Sequence, residues 1–138
     1  MSKSPNRLLG IVMGVVYLVA GVTGFFLTSS TGFAATSGPR LLDLFEVNPL
    51  HNLLHIATGA VLLIAALVAA WLSRPVNLVM GACLFLLGGA GVLISSGNNP
   101  LNILALDGAD NVLYFASAVV LLAVAIGADR TVGSAKTA

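Results

Sequence analysis

Four long apolar runs constrain this chain more than any other feature of its sequence. They cover residues 8–28, 49–72, 76–95 and 110–128, and none carries a charged residue away from its ends. A helix of roughly 20 apolar residues crosses the hydrocarbon core of a bilayer, so each run is long enough to span one. The sequence therefore predicts an all-α integral membrane four-helix bundle forming a single domain over 1–138, with connecting loops at 29–48 and 96–109.

The composition excludes several other classes of protein. Hydrophobic residues make up 58% of the 138 residues and charged residues only 8%, whereas soluble domains average about 25% charged. The mean hydropathy is +1.03, and the formal net charge is only +1. A soluble fold, a disordered segment and a nucleic-acid-binding protein are excluded, because too little charge is present to cover a solvated surface or to bind phosphates. The expected partner is the lipid bilayer.

The distribution of lysine and arginine predicts the orientation of the bundle. If the N-terminus is cytoplasmic, the inner side collects Lys3, Arg7, Arg74, Arg130 and Lys136. Only Arg40 then falls on the outer side, as the positive-inside rule requires. The first run is longer than the 7–15 apolar residues of a signal peptide, so we interpret it as a retained helix. Both termini are therefore predicted to be cytoplasmic, in a multi-pass protein of the plasma membrane.

The chain also resembles itself. Residues 51–61 align with residues 110–120, and the first run aligns with the third. The informative matches are Asn52 with Asn111, Thr58 with Ser117, Gly21 with Gly88, and Gly24 with Gly91. These matches predict two copies of one helical hairpin, related by a pseudo-twofold axis along the membrane normal because both copies have the same orientation.

Small residues follow one face of the first run. On a helix, Gly10, Gly14, Gly21 and Gly24 fall within about 80° of one another, and Gly88 and Gly91 repeat part of the pattern in the third run. Glycines let helix backbones approach closely in lipid, so we predict that this face packs helices within the chain. Self-association through the same face is the alternative. Tyr17 lies in this stripe, and its hydroxyl is expected to bond a backbone carbonyl, Thr23 or Ser117.

Polar side chains gather where the second and fourth runs begin. His51, His55 and Thr58 lie on one face of the second run, and Asp110, Tyr114 and Ser117 lie on the equivalent face of the fourth. Hydrogen bonds from His51 to Asp110 and from His55 to Tyr114 would hold the two helices in register. The candidate residues, as a ligand site or as a structural lock, are His51, Asn52, His55, Asp110, Asn111 and Tyr114.

Three other functions compete with this structural interpretation. Histidines at i and i+4 can share a divalent metal ion, with Asp110 completing the ligand shell. A bis-histidine haem needs ligands on facing helices, whereas both histidines lie on one helix. A proton-coupled transporter typically carries a charged residue in mid-membrane, and the runs contain none there. The lock itself needs no cofactor, and a divalent metal is the alternative.

The two outer loops carry apolar residues of their own. Residues 40–47 and 101–106 space these residues as a short interfacial helix would. We therefore expect two short helices lying on the outer face of the bundle.

The paired motifs Asn48-Pro49-Leu50-His51-Asn52-Leu53-Leu54-His55 and Ala109-Asp110-Asn111-Val112-Leu113 resemble those of the DUF4383 family. The resemblance covers nearly the whole chain and implies a small four-helix bacterial membrane protein, from a family found mainly in actinobacteria. It shifts emphasis onto the histidine, asparagine and aspartate residues of these motifs. Proteins of this family often carry a histidine where this chain has Tyr114, and this departure weakens a symmetric metal or haem site. The family has no assigned activity.

The sequence therefore predicts a structural or accessory membrane protein, not an enzyme, whose outer polar cluster locks the second and fourth helices together. One alternative is a protein that binds a metal ion or small polar ligand at that cluster. Another is a subunit of a larger membrane complex, whose glycine faces contact other membrane proteins.

Overall fold

The computed structural model describes residues 4–128, which form four α-helices and one short β-hairpin. The elements are α1 (Pro5–Leu27), β1 (Arg40–Leu41), β2 (Phe45–Glu46), α2 (Pro49–Val68), α3 (Ala70–Ile94) and α4 (Gly108–Gly127). All four helices are long and apolar enough to cross a membrane. The predicted all-α membrane bundle is confirmed.

Three of the helices begin at a side-chain cap that the sequence supplies. Ser4 caps α1 by accepting a hydrogen bond from the Arg7 amide, and Asn48 caps α2 in the same way. At α4, Asp107 and Asp110 form a reciprocal capping box. Such caps satisfy amides that have no partner inside the helix, and they fix the residue at which each helix starts.

The bundle consists of two hairpins. Helix α1 packs mainly on α2, and α3 packs mainly on α4, which defines a first hairpin (α1–α2) and a second hairpin (α3–α4). The backbones of α2 and α4 approach each other less closely than the helices within either hairpin do. Side chains, rather than close backbone contact, must therefore join these two helices.

The glycine stripe of α1 lies against α2. A Cβ added at Gly14 would come within 2.9 Å of the Leu63 backbone, and one added at Gly21 would come within 2.6 Å of the Asn52 carbonyl oxygen. Gly10 and Gly24 face α2 as well, and Gly88 and Gly91 face α4. The stripe therefore serves packing within each hairpin, since larger residues would force the helices apart.

The connection between α2 and α3 differs from the expectation. The predicted second span continues to residue 72, but α2 ends at Val68 and α3 begins at Ala70. A single extended residue, Ala69, reverses the chain. Trp71 and Pro75 therefore belong to α3, because apolar periodicity continues through so short a turn without a polar interruption.

The two interfacial helices predicted in the outer loops are wrong. Residues 40–47 form the β1–β2 hairpin, whose turn places Leu42 and Asp43 at φ values of 55° and 58°. Residues 101–106 form turns, with Ala105 at a φ of 52°. A left-handed residue interrupts a right-handed helix, and apolar spacing over eight or fewer residues cannot reveal it.

Among the charges used to predict orientation, Lys3, Arg130 and Lys136 lie outside the described residues. Arg7 and Arg74 lie near the beginnings of α1 and α3, and Arg40 lies in the loop at the opposite end of the bundle.

Candidate functional site: the buried cluster between α2 and α4

Three aromatic and imidazole side chains meet between α2 and α4. We call His51, His55 and Tyr114 the histidine–tyrosine cluster. The two Nε2 atoms of the histidines lie 3.1 Å apart, and the Tyr114 hydroxyl lies 3.2 Å from His55 Nε2. The same hydroxyl forms a short hydrogen bond with His51 Nε2. All three side chains are at most 1% exposed, so the contacts are made without competing water.

The surrounding groups determine where the hydrogens of this cluster lie. His51 Nδ1 is 3.2 Å from the Glu46 carbonyl oxygen, which can only accept, so Nδ1 carries the hydrogen. In a neutral imidazole, His51 Nε2 is then an acceptor, and the Tyr114 hydroxyl donates to it. His55 Nε2 can then donate to the Tyr114 oxygen, since the single lone pair of His51 Nε2 already accepts from Tyr114. With this assignment every N–H and O–H of the cluster has a partner.

Asp110 lies beside the cluster but does not join it by a hydrogen bond. Its Oδ2 accepts from the Asp107 amide, as part of the capping box. Its Oδ1 is buried without a hydrogen-bond partner within residues 4–128, and it lies 3.8 Å from His51 Nε2. The expected His51–Asp110 hydrogen bond is therefore wrong. The capping box holds this short side chain at the start of α4, and Tyr114 reaches His51 instead.

The two helix caps also tie the loops at 29–48 and 96–109 over the cluster. Asn48 Nδ2 donates to the carbonyl oxygens of Ala35 and Ile103. Asp107 Oδ2 accepts from the Glu46 amide at 3.3 Å. Each loop is therefore bound to the residue that caps α2 or α4. These bonds position the Glu46 carbonyl against His51.

Tyr17 extends the polar network to α1. Its hydroxyl donates to Ser117 Oγ on α4 at 2.9 Å, which is one of the three partners considered from the sequence. Its ring packs edge-on against His55, with ring centroids 5.3 Å apart. A tyrosine hydroxyl in an apolar environment needs such a partner, and this one also joins the two hairpins.

The two asparagines predicted as site residues lie elsewhere. Asn52 Nδ2 donates to Thr28 Oγ1 at 3.0 Å, and Asn52 Oδ1 lies against Gly24. The equivalent residues of the second hairpin are Asn111, Ser95 and Gly91, with a 3.0 Å hydrogen bond from the amide to Ser95. Each asparagine therefore joins the two helices of its own hairpin. The oxygens find no conventional donor among the described residues, and close contact with glycine Cα–H groups partly replaces one.

Sequence reasoning missed a second set of polar contacts, at the opposite end of the bundle. Arg7 Nε donates to the Ala66 carbonyl, and Arg74 Nε donates to the Ala125 carbonyl, both at 2.8 Å. Asn77 Nδ2 donates to the Asn6 carbonyl at 2.9 Å. A signal was present, because Arg7 and Arg74 are separated by the same offset as Gly21 and Gly88.

The cluster has limited capacity to hold a metal ion. Structural zinc sites take four ligands at about 2.0–2.3 Å. The described part of the chain contains no group of three or more His, Cys, Asp or Glu side chains that could hold a metal. A metal at His51 and His55 would have to recruit the Tyr114 oxygen and displace the hydrogen bonds that join these three side chains.

The fold and the paired motifs can be compared with known proteins. The family model described as "Domain of unknown function (DUF4383)" matches residues 7–127. The chain belongs to this family. The resemblance inferred from the paired motifs of α2 and α4 is thus confirmed. Comparisons with curated proteins and with solved structures gave no match. The function of this DUF4383 protein must therefore be argued from its own geometry.

Proposed function

We propose that this DUF4383 protein is a structural or accessory protein of the bacterial plasma membrane, in which the histidine–tyrosine cluster locks its two hairpins together. One observation carries the proposal: His51 and His55 of α2 bond directly to Tyr114 of α4, and all three are at most 1% exposed. The three side chains bond to one another, so the cluster as it stands serves adhesion between helices rather than chemistry on a substrate.

The membrane environment gives such a lock its value. Helices surrounded by lipid gain little from burying apolar side chains against each other, since lipid tails are equally apolar. Packing and interhelical hydrogen bonds must hold them together instead. Within each hairpin, glycines provide close packing, but α2 and α4 lie further apart. Hydrogen bonds across this gap are therefore the interaction best suited to fix the arrangement of the hairpins.

The same geometry supports an orientation with both ends of the chain in the cytoplasm. Arg7 and Arg74 lie at the end of the bundle opposite the cluster, as the positive-inside rule expects of the inner face. Trp71, 76% exposed, lies at that same end, where an indole ring suits the membrane interface. In this orientation the cluster and the β1–β2 hairpin belong to the outer leaflet and the outer surface.

Removing the Tyr114 hydroxyl tests the lock. We expect Tyr114→Phe to lower the free energy of unfolding in detergent by about 1–2 kcal/mol, because it removes bonds to both histidines from a buried site. Thr23→Val is the matched control, since it removes an exposed hydroxyl from α1 and is expected to change stability by less than about 0.5 kcal/mol. Equal stability of the two variants would contradict the lock.

Two further measurements on the purified wild-type protein separate the alternatives. Elemental analysis with and without a chelator reports a bound metal, and a stoichiometric metal whose removal lowers the melting temperature would replace the lock by a metal site. Purification in a mild detergent reports partners, and a stable companion protein would favour a role as a subunit of a larger complex.

A further inference from the structure

A cleft in the side of the bundle reaches the histidine–tyrosine cluster. It lies between α1 and α4 beneath the β1–β2 hairpin and has a volume of about 390 Å³. We call it the His55 cleft. Its walls include Val16, Ala20 and Thr23 of α1, Leu113 of α4, Phe45 of β2, and His55. Because Val16 and Val19 of the same wall are exposed on the outer face of α1, the cleft opens sideways, toward the lipid.

The cleft is apolar except at two points. Thr23 contributes a hydroxyl, and His55 contributes the one imidazole among the lining residues. His55 is 1% exposed, and its Nδ1 has no hydrogen-bond partner in the part of the chain that the structure describes. The Nε2 edge of the ring faces His51 and Tyr114, so Nδ1 is the nitrogen left for a molecule in the cleft.

The hydrogen-bond network also determines what His55 Nδ1 can accept. Because His55 Nε2 carries the hydrogen donated within the cluster, the neutral ring leaves a lone pair on Nδ1. A buried acceptor without a donor is unfavourable relative to its hydrated state. The complementary ligand group is therefore an O–H or N–H donor at the end of an apolar body.

The second hairpin provides an internal comparison. An equivalent cleft of about 470 Å³ lies between α3 and α2, lined by Leu50, Leu53, Leu54, Ala57, Cys83, Leu87 and Leu104. By the repeat alignment, Cys83 corresponds to Val16, Leu87 to Ala20, and Leu54 to Leu113. Tyr114, which corresponds to His55, does not line it. A cleft that merely accommodates lipid chains would need no polar group, and this second cleft contains only a thiol.

We propose that the His55 cleft binds a neutral, membrane-soluble alcohol or phenol, whose hydroxyl donates to His55 Nδ1 while its apolar body lies along α1 and α4. The volume falls within the range of about 300–1,000 Å³ that is typical of small-molecule sites. Thr23 lines the same cleft and supplies a second polar group to it. The ligand would bind His55 through Nδ1, whereas the lock uses Nε2 of the same ring.

A photoreactive probe tests the proposal. The probe is a long-chain alkylphenol with a diazirine in its chain, and its methyl ether, which has no donor, is the matched control. Each is irradiated with the full-length protein in nanodiscs, and labelled peptides are mapped by mass spectrometry. We expect the phenol to label the α1 and α4 walls of the His55 cleft about fivefold more than the ether, which is the effect of one net hydrogen bond.

Two variants distinguish the two clefts without altering the cluster. Val16→Trp fills the His55 cleft, and Cys83→Trp fills the equivalent cleft of the second hairpin. We expect Val16→Trp to abolish the preference for the phenol and Cys83→Trp to leave it unchanged. The proposal is overturned if phenol and ether label equally, if both clefts are labelled equally, or if Val16→Trp retains the preference. Equal labelling of both clefts would identify them as grooves for lipid chains. The lock is tested separately by stability, so either idea can fail alone.

Discussion

The two hairpins have equivalent polar contacts inside them, but the residues that join one hairpin to the other are not the same in the two copies. Asn52 in the first hairpin and Asn111 in the second each donate to a hydroxyl at the end of the preceding helix. Arg7 and Arg74 each donate to a carbonyl of the following helix. Between the hairpins this correspondence ends. The equivalent of His55 is Tyr114, which it contacts, and the equivalent of His51 is Asp110. Contacts within the two hairpins therefore use the same types of residue, whereas the interface between them uses different ones in this chain.

The pseudo-twofold axis that the sequence repeat predicts would account for this difference. Near a twofold axis, a residue contacts its own equivalent in the other copy, and His55 and Tyr114 are equivalents in direct contact. Neutral imidazoles at both positions would leave the direction of the hydrogen bond ambiguous, whereas the Tyr114 hydroxyl donates a hydrogen bond that His51 Nε2 accepts. Similarly, Tyr17 bonds Ser117, while the equivalent of Tyr17 is the apolar Leu84. The asymmetry lies where the two copies meet.

The strongest test compares Gly21 with its equivalent, Gly88. A Cβ at Gly21 would lie 2.6 Å from a backbone oxygen of α2, whereas one at Gly88 would lie 3.3 Å from the Phe115 ring, which can move. Overpacking costs about 1–3 kcal/mol, and alanine gains about 1 kcal/mol of helix propensity over glycine.

We therefore expect Gly21→Ala to destabilise the protein by about 2 kcal/mol and Gly88→Ala to be near neutral, as measured by unfolding in detergent. Each variant serves as the control for the other. Equal losses of stability would show that the helices of the two hairpins are packed equally tightly. This result would contradict the difference in space that we infer at Gly21 and Gly88.

A second test addresses the contacts that the hairpins share. Asn52→Ala and Asn111→Ala each remove one 3.0 Å hydrogen bond to a hydroxyl at a helix end. We expect similar losses of about 1 kcal/mol from each variant, since one buried hydrogen bond is removed in both. Denaturant or thermal unfolding measures both. A loss several times larger in one hairpin would contradict the equivalence of these contacts.

The sequence predicted the parts of the structure that depend on local composition. Four apolar runs were sufficient to predict four helices, because spanning a bilayer allows few alternatives. Asn48 and Pro49 correctly indicated where α2 begins. The alignment of 51–61 with 110–120 was sufficient to place His55 beside Tyr114, since equivalent residues of two copies lie at the same depth.

The parts that the sequence did not predict depend on competition between partners. Asp110 was expected to bond His51, but the capping box with Asp107 holds it at the start of α4, and Tyr114 is the longer side chain. The loop at 40–47 was expected to be helical, but positive φ values at Leu42 and Asp43 leave no trace in the apolar spacing. Neither the partner of Asp110 nor the conformation of this loop can be predicted from the pattern of a single sequence.

The smallest expected effect concerns the asymmetric bond between Tyr17 and Ser117. Tyr17→Phe and Ser117→Ala each remove this 2.9 Å hydrogen bond, so their effects on stability should not add. A double-mutant cycle in detergent should give a coupling of about 0.6 kcal/mol, the average for interhelical bonds in a membrane protein. Thr23→Val combined with Tyr17→Phe is the control cycle, and its effects should add. Additive effects in the first cycle would mean that the bond contributes nothing to stability. The polar connections between helices of the two hairpins would then be those of Tyr114 with its two histidines and those of Asn6 with Asn77 and Val124.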